Sequence, residues 1–176
     1  MNSNTLSRIA VRRAPGTRHR GWLVAGGLVL PCALGRSGVT RDKREGDGAT
    51  PAGTVRPLAA LFRPDRGPRP ATALPLTPID GGDGWCDASN DRNYNRPVRL
   101  PYPASAERMR RDDALYDIVV DLSANRGPIR KGRGSAIFLH VARPGLAPTE
   151  GCIALEARAL RRLLGRIGPR TRLVVG

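Results

Sequence analysis

The chain has 176 residues and a mass of 18.9 kDa, enough for one domain with a real core, and 40% of it is hydrophobic. Only seven residues are aromatic, so Leu, Val, Ile and Ala must build that core, while 21 Gly and 16 Pro argue against a helical bundle and for short strands joined by turns. The net charge of +15 comes from 28 Arg and 2 Lys spread without a long basic block. It suits nucleic acid, anionic lipid headgroups or an acidic wall polymer, and equally an Arg-heavy coding bias on an ordinary surface, so charge alone selects no partner.

Leu6–Val11 opens the chain with strand-like alternation. The apolar stretch Trp22–Gly35, WLVAGGLVLPCALG, follows Arg18, His19 and Arg20 and has the outline of a leader peptide, but it is too short to span a bilayer as a helix. Gly26-Gly27 divides it into two apolar runs, which predicts a hairpin over 21–25 and 28–34 belonging to the domain itself. His19, between two arginines, is expected at the surface. The segment 35–54, GRSGVTRDKREGDGATPAGT, is dense in Gly, Asp and Pro and is expected to be a long surface loop of the kind that carries function.

Thr54–Phe62 is expected as a strand. Residues 63–81 are Pro-rich, and 82–105 are polar and irregular, with Trp85 and Tyr94 expected to be buried. Leu115–Leu122 and Ser135–Val141 are β-branched or aromatic runs bounded by turn residues, the clearest strands of the chain. Over Glu156–Ile167, Leu160, Leu163, Leu164 and Ile167 fall at i, i+3, i+4 and i+7, which predicts a helix. Glu156 in its first turn suits the helix dipole, and Gly168-Pro169 stops it. A final strand, TRLVV, closes a mostly-β single domain over 1–176 with one late helix. There is no internal repeat, no βαβ alternation and no dinucleotide fingerprint.

Cys32, Cys86 and Cys152 are too few and too far apart for a disulfide scaffold or a zinc site, and no metal or cofactor is expected. A Cys32–Cys86 bridge would leave Cys152 free, although nothing in the sequence requires one. The chemistry concentrates in HVARPGLAPTEGCIAL, His140 to Leu155. His140 falls near the end of a predicted strand, residues 142–151 form a loop, and Cys152 sits where regular structure resumes, so both reach one edge of the sheet. An imidazole beside a thiol raises the thiolate fraction and can later protonate a leaving amine. Gly151 allows close backbone approach, and the Gly151 and Cys152 amides have the spacing of an oxyanion hole. From the residues alone, a buried cysteine beside a satisfied strand histidine is the commoner case and the slightly favoured reading.

The same segment resembles the active-site segment of the L,D-transpeptidase catalytic domain, the YkuD type, in which His and a loop lead to Ser/Thr-His-Gly-Cys and an apolar residue. KREGDGATPAGT, Lys43 to Thr54, is similar to that family's Lys-x-x-Gly-Asp-x-x-Thr-Pro-x-Gly segment, and GWCDASNDRNYNR resembles a segment of a small single-domain branch of it. The likeness runs from Trp22 to Gly176. It implies a β-sandwich with one late helix, Cys152 as nucleophile, His140 as base, the Val141 carbonyl orienting the imidazole, and Gly151 with Cys152 at the oxyanion. Thr149 matches the Ser/Thr position, and Glu150, Tyr94, Asn95 and Arg143 are candidates to bind substrate. Glu150 reads equally as a solvated loop carboxylate, and a packed Tyr94 with a hydrogen-bonded Asn95 in a turn is the favoured reading of that pair.

Two positions depart from the pattern. Glu150 stands where the family has a second histidine, and Ala154 where Arg or Asn is usual, so Glu150 is where specificity is expected to differ. The resemblance implies a peptidoglycan L,D-transpeptidase acting on donor and acceptor stem peptides, with carbapenem β-lactams as covalent inhibitors, on the periplasmic or wall side of a bacterial envelope. An L,D-carboxypeptidase using the same site and a non-catalytic wall-binding domain are the alternatives. With few aromatics to stack bases and no helix-turn-helix or zinc pattern, no nucleic acid is expected as partner, and no stable membrane insertion.

Overall fold

Residues 5–176 are described by the structure, a computed structural model; residues 1–4 of the expected domain lie outside them. Among the described residues the strands are β1 (Arg8–Arg13), β2 (Arg20–Ala25), β3 (Leu28–Ala33), β4 (Val39–Thr40), β5 (Thr50–Pro51), β6 (Gly53–Val55), β7 (Pro57–Phe62) and β8 (Leu76–Pro78). They continue with β9 (Asp83–Cys86), β10 (Pro97–Arg99), β11 (Ala106–Arg108), β12 (Ile118–Leu122), β13 (Phe138–Val141), β14 (Ile153–Leu155) and β15 (Arg172–Val175), with helix α1 (Ala157–Leu164) before the last. Ten strands form one curled sheet in the order β6-β15-β1-β2-β3-β14-β13-β12-β7-β8, β10-β9-β11 form a second, and β4-β5 pair alone. The mostly-β architecture with one late helix, consistent with a sandwich, matches the expectation from composition and resemblance.

Side-chain alternation decides what each face does. β1 and β2 bury Ile9, Val11, Leu23 and Ala25 and expose Arg8, Arg12, Trp22 and Val24. β12, β13 and β14 are buried on both faces, hence their largely apolar runs, interrupted by Asp121 and His140. Their inner face joins Ile118, Val120, Leu139, Val141, Ile153 and Leu155 to the core of β1 and β2 and to α1. Eight residues are too few for a helix to persist alone. Leu160, Leu163 and Leu164, fully buried, hold α1 in place at roughly 2 kcal/mol each. On the other face Val119 and Phe138 pack with Trp85, Met109, Tyr116 and Cys152, and the Trp85 ring meets Phe138 edge-on at 4.9 Å.

The structure alters several local expectations. The helix is shorter than 156–167: Glu156 is its N-cap residue, not part of the first turn, and Gly165 ends it, although Ile167 is still buried. Thr54–Phe62 splits, because β6 pairs with β15 and β7 with β12, at opposite ends of the sheet order. The backbone of Arg56 between them is held by Ser123. The polar stretch 82–105 contains β9 and β10 of the small sheet. The segment 35–54 runs along the surface, but it carries the short strands β4 and β5 and buries Lys43, Ala49 and Thr50. All three cysteines are free thiols, so the Cys32–Cys86 bridge does not form.

Asp121 on β12 carries a measurable penalty. Burial pushes its carboxyl up to about 6, and Arg126 at 3.3 Å offsets this only in part. A folded-state pKa above the unfolded one gives stability at low pH that is lost as pH rises through about 6. Asp121→Asn is therefore expected to match the wild type in acid and to gain on the order of 1–2 kcal/mol by neutral pH. Urea midpoints taken across that range check it: a gap that fails to open as pH rises contradicts the assignment. Arg126 keeps its bond to the Asn95 carbonyl and its place over the Trp85 ring in the variant.

Candidate active site

β13 and β14 are parallel neighbours with His140 opposite Ala154, and Cys152 immediately precedes β14. Alternation along β13 puts His140 on the Phe138 face, away from α1. His140 and Cys152 line one cavity of about 370 Å³, so the structure brings together the two residues expected to act as a pair.

The imidazole is fixed in one tautomer. His140 Nδ1 lies 2.8 Å from the Val141 carbonyl oxygen, which can only accept, so Nδ1 carries the hydrogen and Nε2 bears the lone pair. The Tyr116 ring meets the imidazole edge-on at 5.5 Å, and Tyr116 is itself anchored by its hydroxyl to the Glu107 carboxylate at 2.6 Å. Burial pulls His140 down to about 4; the Val141 carbonyl opposes this, and Arg111 and Arg143 reinforce it.

The thiol is bound to the backbone, not to the imidazole. Cys152 Sγ donates to the Ala136 carbonyl at 3.1 Å and accepts from the Phe138 amide at 3.3 Å. Burial pushes it up to about 12, against the pull of the Phe138 amide and the Lys43 ammonium. In this arrangement both partners are neutral near pH 7. Ala136 holds its carbonyl there from a left-handed conformation, φ 50°, which a non-glycine residue adopts only under constraint. The constraint is Asn95, whose Oδ1 accepts from the Ala136 amide at 3.1 Å.

The loop 142–151 that leads to Cys152 is clamped to segment 35–54. Thr149 pairs its backbone with Leu34 and Arg36, and Gly35 lies so close to Gly48 that a Cβ would stand 2.3 Å from the Gly48 carbonyl. Thr149 Oγ1 donates to the Cys152 carbonyl at 2.7 Å and accepts from the Gly151 amide at 3.2 Å. Thr50 Oγ1 accepts from the Gly35 amide at 2.8 Å and donates to the same Cys152 carbonyl at 3.4 Å. Thr149 lines the cavity, but its hydroxyl is spent on the loop, and the Gly151 amide is engaged instead of free for an oxyanion.

Gly151 has φ 130°, and a Cβ there would lie 2.8 Å from the Ala49 carbonyl. Gly151→Ala meets both objections at once and is expected to destabilise by about 2–4 kcal/mol, lowering the melting temperature and misplacing Cys152. A melting curve unchanged from wild type would show that the loop relaxes without strain.

The remaining expected substrate ligands divide. Glu150 and Arg143 line the cavity; Glu150 is highly exposed and ion-paired with Arg36. Tyr94 and Asn95, candidates for contact with substrate or for packing, do not line it. Both are buried behind its wall, where the Tyr94 hydroxyl donates to Glu45 and Asn95 Oδ1 accepts from the Trp85 indole at 3.0 Å. Glu45, Asp87, Glu107, Arg111 and Tyr116 line the cavity and were not anticipated. Glu45 and Asp87 sit inside segments that carry the family likeness, whereas the other three have no local signal.

A buried thiol and a neutral imidazole on the central strands of a curled sheet, opening on one cavity, make up a cysteine–histidine site on a β-rich domain. The L,D-transpeptidase catalytic domain family, YkuD, matches residues 11–175, nearly the whole chain, and the chain belongs to that family. Comparison with curated proteins and with solved structures returns no match.

Proposed function

We propose that the protein is a peptidoglycan L,D-transpeptidase, working through a Cys152 thioester on the periplasmic or wall side of a bacterial envelope. The observation that carries this reading is the convergence of Cys152 and of His140, locked with its Nε2 lone pair available, on one cavity. The thiol turns from Ala136 to Nε2 and gives up its proton as Sγ attacks the carbonyl that follows an L-centre of the donor stem. The Cys152 amide faces the developing oxyanion. The C–N bond breaks, the imidazolium returns the proton to the departing D-residue amine, and the acyl group remains on sulfur. An amine of the acceptor stem then attacks the thioester, passes its proton to Nε2, and releases the thiol.

Carboxylates in this cavity favour entry of the acceptor as an ammonium, and one of them takes its extra proton to leave the amine that attacks. Glu45, Asp87, Glu107 and Glu150 line it, and the buried Asp87 Oδ1 has no hydrogen-bond partner among the described residues. Arg111 and Arg143 supply the opposite charge for stem carboxylates.

Incubation of the purified protein with disaccharide-tetrapeptide, followed by product mass analysis, tests the proposal. Cross-linked dimers support it, and their fragmentation gives the linkage. Tripeptide alone assigns the site to L,D-carboxypeptidase hydrolysis. Unchanged substrate across several stem compositions removes the enzymatic reading and leaves wall binding.

A further inference from the structure

The sheet face that carries His140 continues, uncovered, across β2, β1 and β15. Register places His140 opposite Ala154, Ala154 opposite Ala33, and Ala33 opposite Arg20, so these four share one face. Two residues further along β2 lies Trp22. It pairs with Pro31 on one side and Arg12 on the other, and the next row runs Val29, Val24, Ala10, Val174, Thr54. Trp22, Val24 and Val29 are 43%, 37% and 61% exposed, and register sets these large apolar side chains beside one another in a patch instead of scattering them singly. Beyond that row, Arg8 stands directly opposite Arg172, and Arg56 joins them around a shallow hollow of about 540 Å³.

Like charges directly opposite on neighbouring strands are destabilising. Yet Arg8, Arg12, Arg56 and Arg172 pair with no carboxylate among the described residues. We propose that this outward face of β15, β1, β2 and β3 docks on an anionic phospholipid surface, its arginines on headgroup phosphates and Trp22, Val24 and Val29 in the interfacial layer.

The pattern selects lipid over other polyanions. A nucleic acid or a dissolved acidic polymer gains nothing from exposed valines between the arginine rows, and a single Trp makes no stacking platform for bases. An interface takes both: phosphates for the guanidiniums, and a less polar layer where Trp is favoured. Docking would be peripheral, since no helix of the described residues is long and apolar enough to cross a membrane. It would also orient the site. Arg20 lies on the same face, three strand spacings or roughly 14 Å from His140, and donates to the Gly145 carbonyl of the loop 142–151 at 2.8 Å.

Flotation of the full chain with vesicles of equal parts phosphatidylcholine and phosphatidylglycerol, at about 0.1 M salt, tests the proposal. Binding is expected there and not to pure phosphatidylcholine. Arg8→Gln with Arg172→Gln is expected to weaken it roughly thirtyfold, and Trp22→Ser with Val29→Ser roughly tenfold. The arginine pair relieves a repulsion and should melt no lower than wild type, so its loss of binding cannot be ascribed to unfolding. Arg92→Gln with Arg130→Gln removes the same charge beside the small sheet and is expected to change binding less than about threefold. No binding to the anionic vesicles, or an equal loss with the Arg92 and Arg130 pair, overturns the proposal. So does duplex DNA binding that both test pairs weaken while vesicles stay unbound.

Discussion

Cys152→Ala is expected to abolish stem-peptide turnover, with a loss of at least about 10³-fold in kcat/KM, and to remove any covalent adduct with a carbapenem seen by intact-mass measurement. The size of the effect follows from the chemistry proposed for the thiol. Among the described residues Cys152 is the one thiol lining the cavity, while the Ser135 and Thr149 hydroxyls there are engaged with Glu45 and with the Cys152 carbonyl. The surroundings make the experiment specific. The thiol is buried with a backbone donor and a backbone acceptor as its partners, so Cys152→Ser keeps that geometry and should fold with a melting curve close to wild type. Serine lacks a thiol's intrinsic nucleophilicity, and an enzyme that uses sulfur should lose nearly as much with Ser as with Ala. Because burial pushes the free thiol up to about 12, alkylation of the resting protein by iodoacetamide should be slow, and far slower than adduct formation with a cyclic amide that fills the cavity. A carbapenem adduct that persists in Cys152→Ala would place the nucleophile elsewhere, and fast alkylation would show that the thiol is not held by Ala136 and Phe138 in solution.

The parts of the molecule legible in the sequence are those whose physics is local. The hairpin of β2 and β3 shows in paired glycines between apolar runs, β12 and β13 in β-branched and aromatic runs, and α1 in the spacing of Leu160, Leu163 and Leu164. His140, Val141, Gly151 and Cys152 lie within one strand-loop-strand unit, so a reading of neighbours brings them together. The small sheet was not legible, because β9, β10 and β11 are three or four residues long and paired across turns, with too few positions to show a period. Nor was the break between β6 and β7, since the partners that pull them apart, β15 and β12, lie far along the chain. The cavity wall was illegible for the same reason: Glu107, Arg111 and Tyr116 come from a segment without any motif and meet His140 only through the fold. Tyr94 and Asn95 are open to two readings in the sequence, as ligands or as a packed pair. Only the fold shows that one anchors Glu45 while the other holds Ala136 in its constrained conformation, a step behind the surface that substrate would touch.

His140→Gln is expected to lower kcat/KM by about 10²–10⁴-fold while leaving the fold intact, and the wild-type pH profile should identify the imidazole as the group responsible. The base must be neutral to take the Cys152 proton, and burial holds its pKa down to about 4. The acid limb of kcat/KM should therefore fall through about 4, well below the ordinary imidazole value of about 6.5. Stability should follow the same group with a definite sign. A folded-state pKa below the unfolded one means that the unfolded chain binds the proton first, so stability present above about 6.5 is lost as pH falls toward 4. Asp121 works in the opposite direction over nearly the same window, its contribution growing as pH falls through about 6. The two are separable in the Asp121→Asn background, where urea midpoints should decline between about pH 6.5 and 4, and adding His140→Gln should flatten that decline. An acid limb near 6.5, with no slope to flatten, would mean that the imidazole is solvated and that the cavity stands open to water before substrate arrives.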